Sequence, residues 1–181
     1  MNRLTKVTLA VAIAVTGIFE GIRTTAYQDA GEVWTACYGE TLGIKKGDTF
    51  TVEQCSAMLA NSLNKHNKPL EEIPQQLPMG VHIAVLDFTY NVGVGNLHRS
   101  TLYQYLKNGN YSAACNEFPR WRYVGHLDCS VRANGCYGVF KRRLIEQKMC
   151  LGKLTISDAL IELKALPLDD DVIKALNVSH Q

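Results

Sequence analysis

An uncharged stretch of thirteen residues, Val7 to Phe19, runs from the basic residues Arg3 and Lys6 to the acid Glu20, and it limits what this chain can become. Rich in Ala, Val and Ile, it has the shape of the basic and apolar regions of an export signal. As a helix it would be about 20 Å long, short of the roughly 30 Å hydrocarbon core of a bilayer, so a permanent anchor is disfavoured. Cleavage is equally awkward, because a cut after Ala26 would discard Glu20. Three readings remain: an uncleaved export signal that enters the membrane transiently, the buried first helix of a soluble domain, or both in succession. Thr8, Thr16 and Gly17 dilute the aliphatics, and the cost of leaving a bilayer scales with apolar area, so the third reading is physically reasonable.

The 181 residues, 46% of them hydrophobic, suit one domain with its own core, or a domain with an appendage. The net charge of +2 is unevenly spread, since residues 151–181 sum to −2 and leave residues 1–150 at +4. Much of the excess falls between Arg120 and Lys148, a stretch that suits an anionic polymer or forms a solvated helix face. Six cysteines, Cys37, Cys55, Cys115, Cys129, Cys136 and Cys150, contain no C-x-x-C pair. That pattern favours disulfides in an oxidising compartment, such as the bacterial periplasm, over zinc. Fifteen pairings are open to six cysteines, free buried thiols are a further alternative, and spacing alone does not choose. Cys129 with Cys136 would close a small polar loop; Cys37 with Cys55 and Cys115 with Cys150 would complete the set.

Between residues 24 and 50, β-branched and aromatic residues separated by glycines predict short strands and turns. Thr51-Val52-Glu53-Gln54 is a capping box opening a helix to about Lys65. Met79 to Tyr90, apolar apart from His82 and Asp87, predicts a central helix buried on most sides, ending in a glycine-rich turn over 91–96. Further helices are expected at about Ser100 to Lys107, Ser112 to Phe118 and Tyr137 to Leu151. Two more, Ser157 to Ala165 and Asp169 to Leu176, are expected in the tail, separated by Pro167. The fold class is α+β, a small β subdomain against a mostly helical lobe.

The chemistry concentrates between Glu20 and Gly39. Glu20 closes an apolar helix, where hydrophobic surroundings would favour a protonated carboxyl, whereas Asp29 lies in a polar turn that suits an ionised one. A protonated acid for the leaving oxygen and an ionised partner across the sugar are what glycoside hydrolysis needs. Thr35, six residues beyond Asp29, supplies a hydroxyl that could orient water. Each residue type alone is more often structural.

In combination they form a Glu, eight residues, Asp, five residues, Thr signature, which resembles that of the phage-type lysozymes, the glycoside hydrolase family 24 endolysins or muramidases. Glu20-Gly21, Tyr27, Trp34-Thr35, Tyr38-Gly39, the FTYNVGVG run of 88–95, Ser100 to Leu102, Trp121 to Gly125 and the GVFKRRLIE run of 138–146 extend the resemblance over roughly residues 15–150. It implies a lysozyme-like fold and metal-free, cofactor-free hydrolysis of the β-1,4 bond between N-acetylmuramic acid and N-acetylglucosamine of peptidoglycan. Glu20 would be the general acid, Asp29 the partner carboxylate and Thr35 the water-positioning group. It also implies inversion, with carboxyls about 6.5 to 9.5 Å apart. The hydrophobic start fits the signal-anchor-release kind. Glu40 departs from the family, which commonly has His there, and residues 151–181 lie beyond its usual end.

The expected division is therefore 1–22 as hydrophobic segment and first helix, 23–150 as catalytic domain and 151–181 as a helical extension. The expected setting is the periplasm of the host bacterium, with glycan strands as partner, transient inner-membrane association through Val7 to Phe19, no nucleic acid and a monomeric state. Tyr90, Asn91, Asn96, Trp121 and Tyr123 are candidates for lining a sugar cleft, because aromatic faces and amides suit pyranose rings and N-acetyl groups. As core or turn residues they would look the same. His82 reads as a satisfied core histidine, and Arg142 and Arg143 as contacts to acidic peptide stems or helix caps. The competing functions are a lytic transglycosylase, which Asp29 and Thr35 argue against, and an inactive wall-binding or membrane-perturbing protein.

Overall fold

The computed structural model describes residues 2–29 and 31–163. The Thr5 hydroxyl accepts from the Thr8 amide and opens helix α1, Lys6–Glu20. The helix stops at Gly21, whose φ of +70° is open to glycine at little cost. The hydrophobic run is thus the first helix of the packed domain, with Val11, Ala12 and Val15 fully buried in the main core. Asn2 fastens the chain ahead of it: its side-chain amide donates to the carbonyls of Leu70, Ile73 and Gln75, and its oxygen accepts from the Leu77 amide. Among the described residues no helix is long and apolar enough to cross a membrane.

From Gly21 the chain enters an antiparallel hairpin, β1 (Arg23–Gln28) and β2 (Trp34–Cys37), in which Tyr27 stands opposite Thr35 and Gln28 opposite Trp34. Helix α2, Val52–His66, begins at Thr51 with both bonds of the expected capping box, and Cys37–Cys55 ties it to β2. A short α3, Lys68–Glu71, leads to α4, Met79–Val92, in which every residue from Val81 to Thr89 is buried. Around α4 lie α1, α2 and α8, Tyr137–Cys150. The approach to α8 is close, since a Cβ on Gly80 would meet the Met149 carbonyl oxygen at 2.5 Å. Between α4 and α8 run α5 (Val94–Arg99), α6 (Thr101–Lys107), α7 (Tyr111–Asn116) and a small hairpin, β3 (Tyr123–Val124) with β4 (Leu127–Asp128). Cys115–Cys150 links α7 to the end of α8, and Cys129–Cys136 closes the loop after β4. Finally α9, Ile156–Glu162, buries Ile156, Ala159 and Leu160 against α1 and α8.

This is the α+β layout expected, with the three cysteine pairs that completed the set. Three local readings change. The glycine-rich turn over 91–96 shrinks to Gly93 (φ +85°), because α4 continues to Val92 and Val94 begins another helix. Helix α3 and the β3–β4 hairpin were not expected, being too short to carry a period. The end of the Ser157 to Ala165 helix and all of Asp169 to Leu176 lie outside the described residues.

His82 is a satisfied core histidine, its Nε2 2.6 Å from Asn67 Oδ1. Burial pushes its pKa down to about 4 despite the nearby Glu71, so the ring stays neutral in the core.

Candidate active site

Glu20 is the last residue of α1, and its carboxyl does not meet apolar side chains alone. Oε1 accepts from Arg142 Nη1 of α8 at 2.6 Å, while the Phe19 ring lies 4.8 Å from the same guanidinium. Arg142 is itself gripped by Asp87 of α4, with Nη2 to Oδ1 at 2.8 Å and Nε to Oδ2 at 3.0 Å, a two-toothed pairing of matched planes. The Thr16 hydroxyl donates to Asp87 Oδ1 at 2.8 Å, so α1 contributes to both ends of the network.

Burial alone would raise the Asp87 pKa, but the adjoining Arg142 charge and the hydrogen bonds hold it below the usual carboxylate range. Burial likewise opposes the charge on Arg142, and Asp87 overrides it, leaving the guanidinium firmly protonated. Next along α8, Arg143 donates to Glu146 Oε1 at 2.7 Å and to Asn91 Oδ1 at 3.1 Å. Burial pushes Glu146 well up and Arg143 down, both toward their neutral forms. Arg142 and Arg143 are therefore buried braces, and not the peptide contacts or helix caps expected of them.

Asp29 and Thr35 stand on the hairpin that leaves Glu20. Asp29 Oδ1 accepts from the amides of Gly31 and Val33, each at 2.9 Å, and among the described residues nothing donates to Oδ2. Thr35 is buried, and its hydroxyl donates to the Val33 carbonyl at 3.1 Å, which leaves the oxygen lone pairs to accept from water.

Two cavities share Glu20 and Asn91 in their walls. The smaller, about 380 Å³, opens toward the β region and adds Tyr90, Glu40, Lys65 and His66. The larger, about 570 Å³, lies toward α8 and α9 and adds Lys141 and Glu162. Tyr90 donates to the Tyr38 carbonyl at 2.9 Å and leans toward Glu40 at 3.4 Å; burial, with Glu40 and Glu20 nearby, raises its pKa. Glu40 thus finds a tyrosine partner.

The other cleft candidates are placed differently. Asn96 bonds the Val92 carbonyl and Arg99, Trp121 packs edge-on against Phe88 at 5.1 Å, and Tyr123 is exposed on β3. These three, like Asp29 and Thr35, are not among the residues lining the two cavities at Glu20, whereas Tyr90 and Asn91 are. Among the described residues no group of three or more His, Cys, Asp or Glu is placed to hold a metal ion.

Sequence reasoning missed Asp87, Glu146 and Glu162. Asp87 did carry a signal, as the one carboxylate in a twelve-residue apolar run, since a buried charge needs a partner.

The phage lysozyme family model matches residues 17–146. The SAR-endolysin of Bacteriophage PS119 is 34% identical over 134 residues, covering 73% of this chain and 76% of that protein. The muramidase domain of SpmX from Asticaccaulis excentricus superposes with a TM-score of 0.71 at 18% identity, covering 83% of this chain and 99% of that one. The active form of P1 phage endolysin Lyz gives 0.68 at 20% identity, covering 79% and 84%. The secreted inactive form of that endolysin gives 0.51 at 16% identity, covering 83% and 97%. This chain superposes more closely on the first of those two structures than on the second.

Proposed function

Since the chain belongs to the phage lysozyme family and is a glycoside hydrolase of the muramidase type, we propose that it is an endolysin acting on peptidoglycan in the host periplasm. It cuts the β-1,4 bond between N-acetylmuramic acid and N-acetylglucosamine. The observation that carries this reading is Glu20, held at a helix end by Arg142 in the shared wall of two cavities. Glu20 gives its proton to the glycosidic oxygen. Water held by Asp29 Oδ2 and the Thr35 oxygen attacks the anomeric carbon from the opposite face, which inverts the configuration and passes a proton to Asp29. Tyr90 and Asn91, which line the smaller cavity with Glu20, flank the sugar.

Digestion of purified peptidoglycan, followed by mass spectrometry of the fragments, tests the reaction. Reducing muramyl ends are expected. Anhydro ends would make the enzyme a lytic transglycosylase, and no released fragments would leave only wall binding.

Val7 to Phe19, before it packs as α1, makes a transient association with the inner membrane; its uncharged apolar run supports entry, and its dilution by Thr8, Thr16 and Gly17 supports release. Fractionation of expressing cells should find the protein with the membrane before depolarisation and in the periplasmic fraction afterwards. Protein absent from the membrane fraction at every time point would refute the membrane stage.

A further inference from the structure

We propose that Asp87 is a positioning residue for the reaction. It holds two nitrogens of Arg142, leaves the third for Glu20, and offsets the guanidinium charge so that the acid keeps its proton until the glycan binds. The inference rests on the reading of Glu20 as the general acid.

An arginine at 2.6 Å is by itself the wrong neighbour for a proton donor, because a full positive charge at that distance favours the ionised carboxylate. Asp87 opposes that effect. It takes Nη2 and Nε of Arg142 at 2.8 and 3.0 Å, while Nη1 goes to Glu20. Asp87 and the Arg142 side chain are 1% and 7% exposed, so solvent screens this pair little. Burial opposes the charge on Asp87, but Arg142 and the hydrogen bonds overcome it, so the anion persists. Arg143 and Glu146 bond each other at 2.7 Å and are both pushed toward neutrality by burial, so as a pair they add no net charge. Without the Asp87 charge, Glu20 would face one uncompensated cation. Thr16, which donates to Asp87 Oδ1, stands four residues before Glu20 on α1, so the helix that delivers the acid also fixes the anion. The other charged or titratable groups around Glu20 are Tyr90, Glu40, Lys65 and His66 in the smaller cavity and Lys141 and Glu162 in the larger. A substitution at Asp87 changes none of them, so a difference between two pH profiles isolates its charge.

The test measures kcat/KM for release of reducing ends from solubilised glycan strands against pH, for wild type and for Asp87→Asn, which keeps the side-chain volume. The alkaline limb of the profile should move to lower pH by about one unit, so that kcat/KM on that limb falls about ten-fold while the acid end stays within about two-fold of wild type. A merely structural role would lower the whole profile without moving the limb. That result, or an unchanged profile, would overturn the proposal and leave the acid role standing. If circular dichroism shows that Asp87→Asn does not fold, Arg142→Met/Asp87→Leu decides, because it removes both charges together. Its alkaline limb should stay within about one unit of wild type, and a larger upward shift would mean that Arg142 acts on Glu20 with its full charge and that Asp87 does not offset it. Glu20→Gln with wild-type activity would instead overturn the acid reading and the proposal with it.

Discussion

Glu20→Gln is expected to lower glycan hydrolysis by about 10²- to 10⁴-fold, the range general acid catalysis commonly supplies. Gln matches Glu in volume and keeps an oxygen that can accept from Arg142 Nη1, so the change removes a transferable proton without opening a cavity. The glycosidic oxygen is a poor leaving group unless it is protonated as the bond breaks, and in the proposed mechanism Glu20 is the group that supplies that proton. Release of reducing ends per enzyme per minute, with circular dichroism to confirm the fold, makes the measurement. A variant that clears cell-wall suspensions as fast as wild type would sink the acid role.

Arg142→Met should cost about 3–5 kcal/mol of folding stability, because it leaves Asp87 buried and ionised with no cation beside it and only the Thr16 hydroxyl and the neighbouring Glu146 carboxyl in support. Arg142 also spaces Glu20 from Asp87, and without it the carboxylates lose the cation between them. Urea unfolding should show a lower midpoint at similar slope. The double variant Arg142→Met/Asp87→Leu should recover much of the loss, since apolar replacement of a whole buried pair is often neutral or better. That pair of results separates an unpaired charge from lost packing. A single variant within about 1 kcal/mol of wild type would mean the network carries little of the fold.

The two expectations differ in how far the sequence displayed them. Glu20, Asp29 and Thr35 fall within sixteen residues, on a helix end and one hairpin, so a local spacing can express their relation. The capping box at Thr51 and the apolar run of α4 were legible for the same reason: each is fixed by neighbours three or four residues away. The cysteine pairs fit their spacing, although only folding selects them among the alternatives.

Arg142 meeting Asp87 across 55 residues, or Glu162 entering a cavity with Glu20, expresses no period. Such pairings follow from how α1, α4, α8 and α9 stack. The failure over 91–96 has a different origin. Gly93 alone takes the positive φ, and six residues of α5 are too few to show a helical face against a glycine-rich background.

The disulfides have a topological consequence. All six cysteines lie after Glu20, and the three closed segments span 37–55, 115–150 and 129–136. No covalent loop encloses α1, so this helix, with the Asn2 clasp and the acid at its end, is held to the oxidised body by non-covalent contacts alone. If α1 docks last, as the proposed membrane stage requires, completion of the site forms packing contacts and the Asp87–Arg142–Glu20 bonds but no disulfide. Its rate should be indifferent to the thiol–disulfide balance around it.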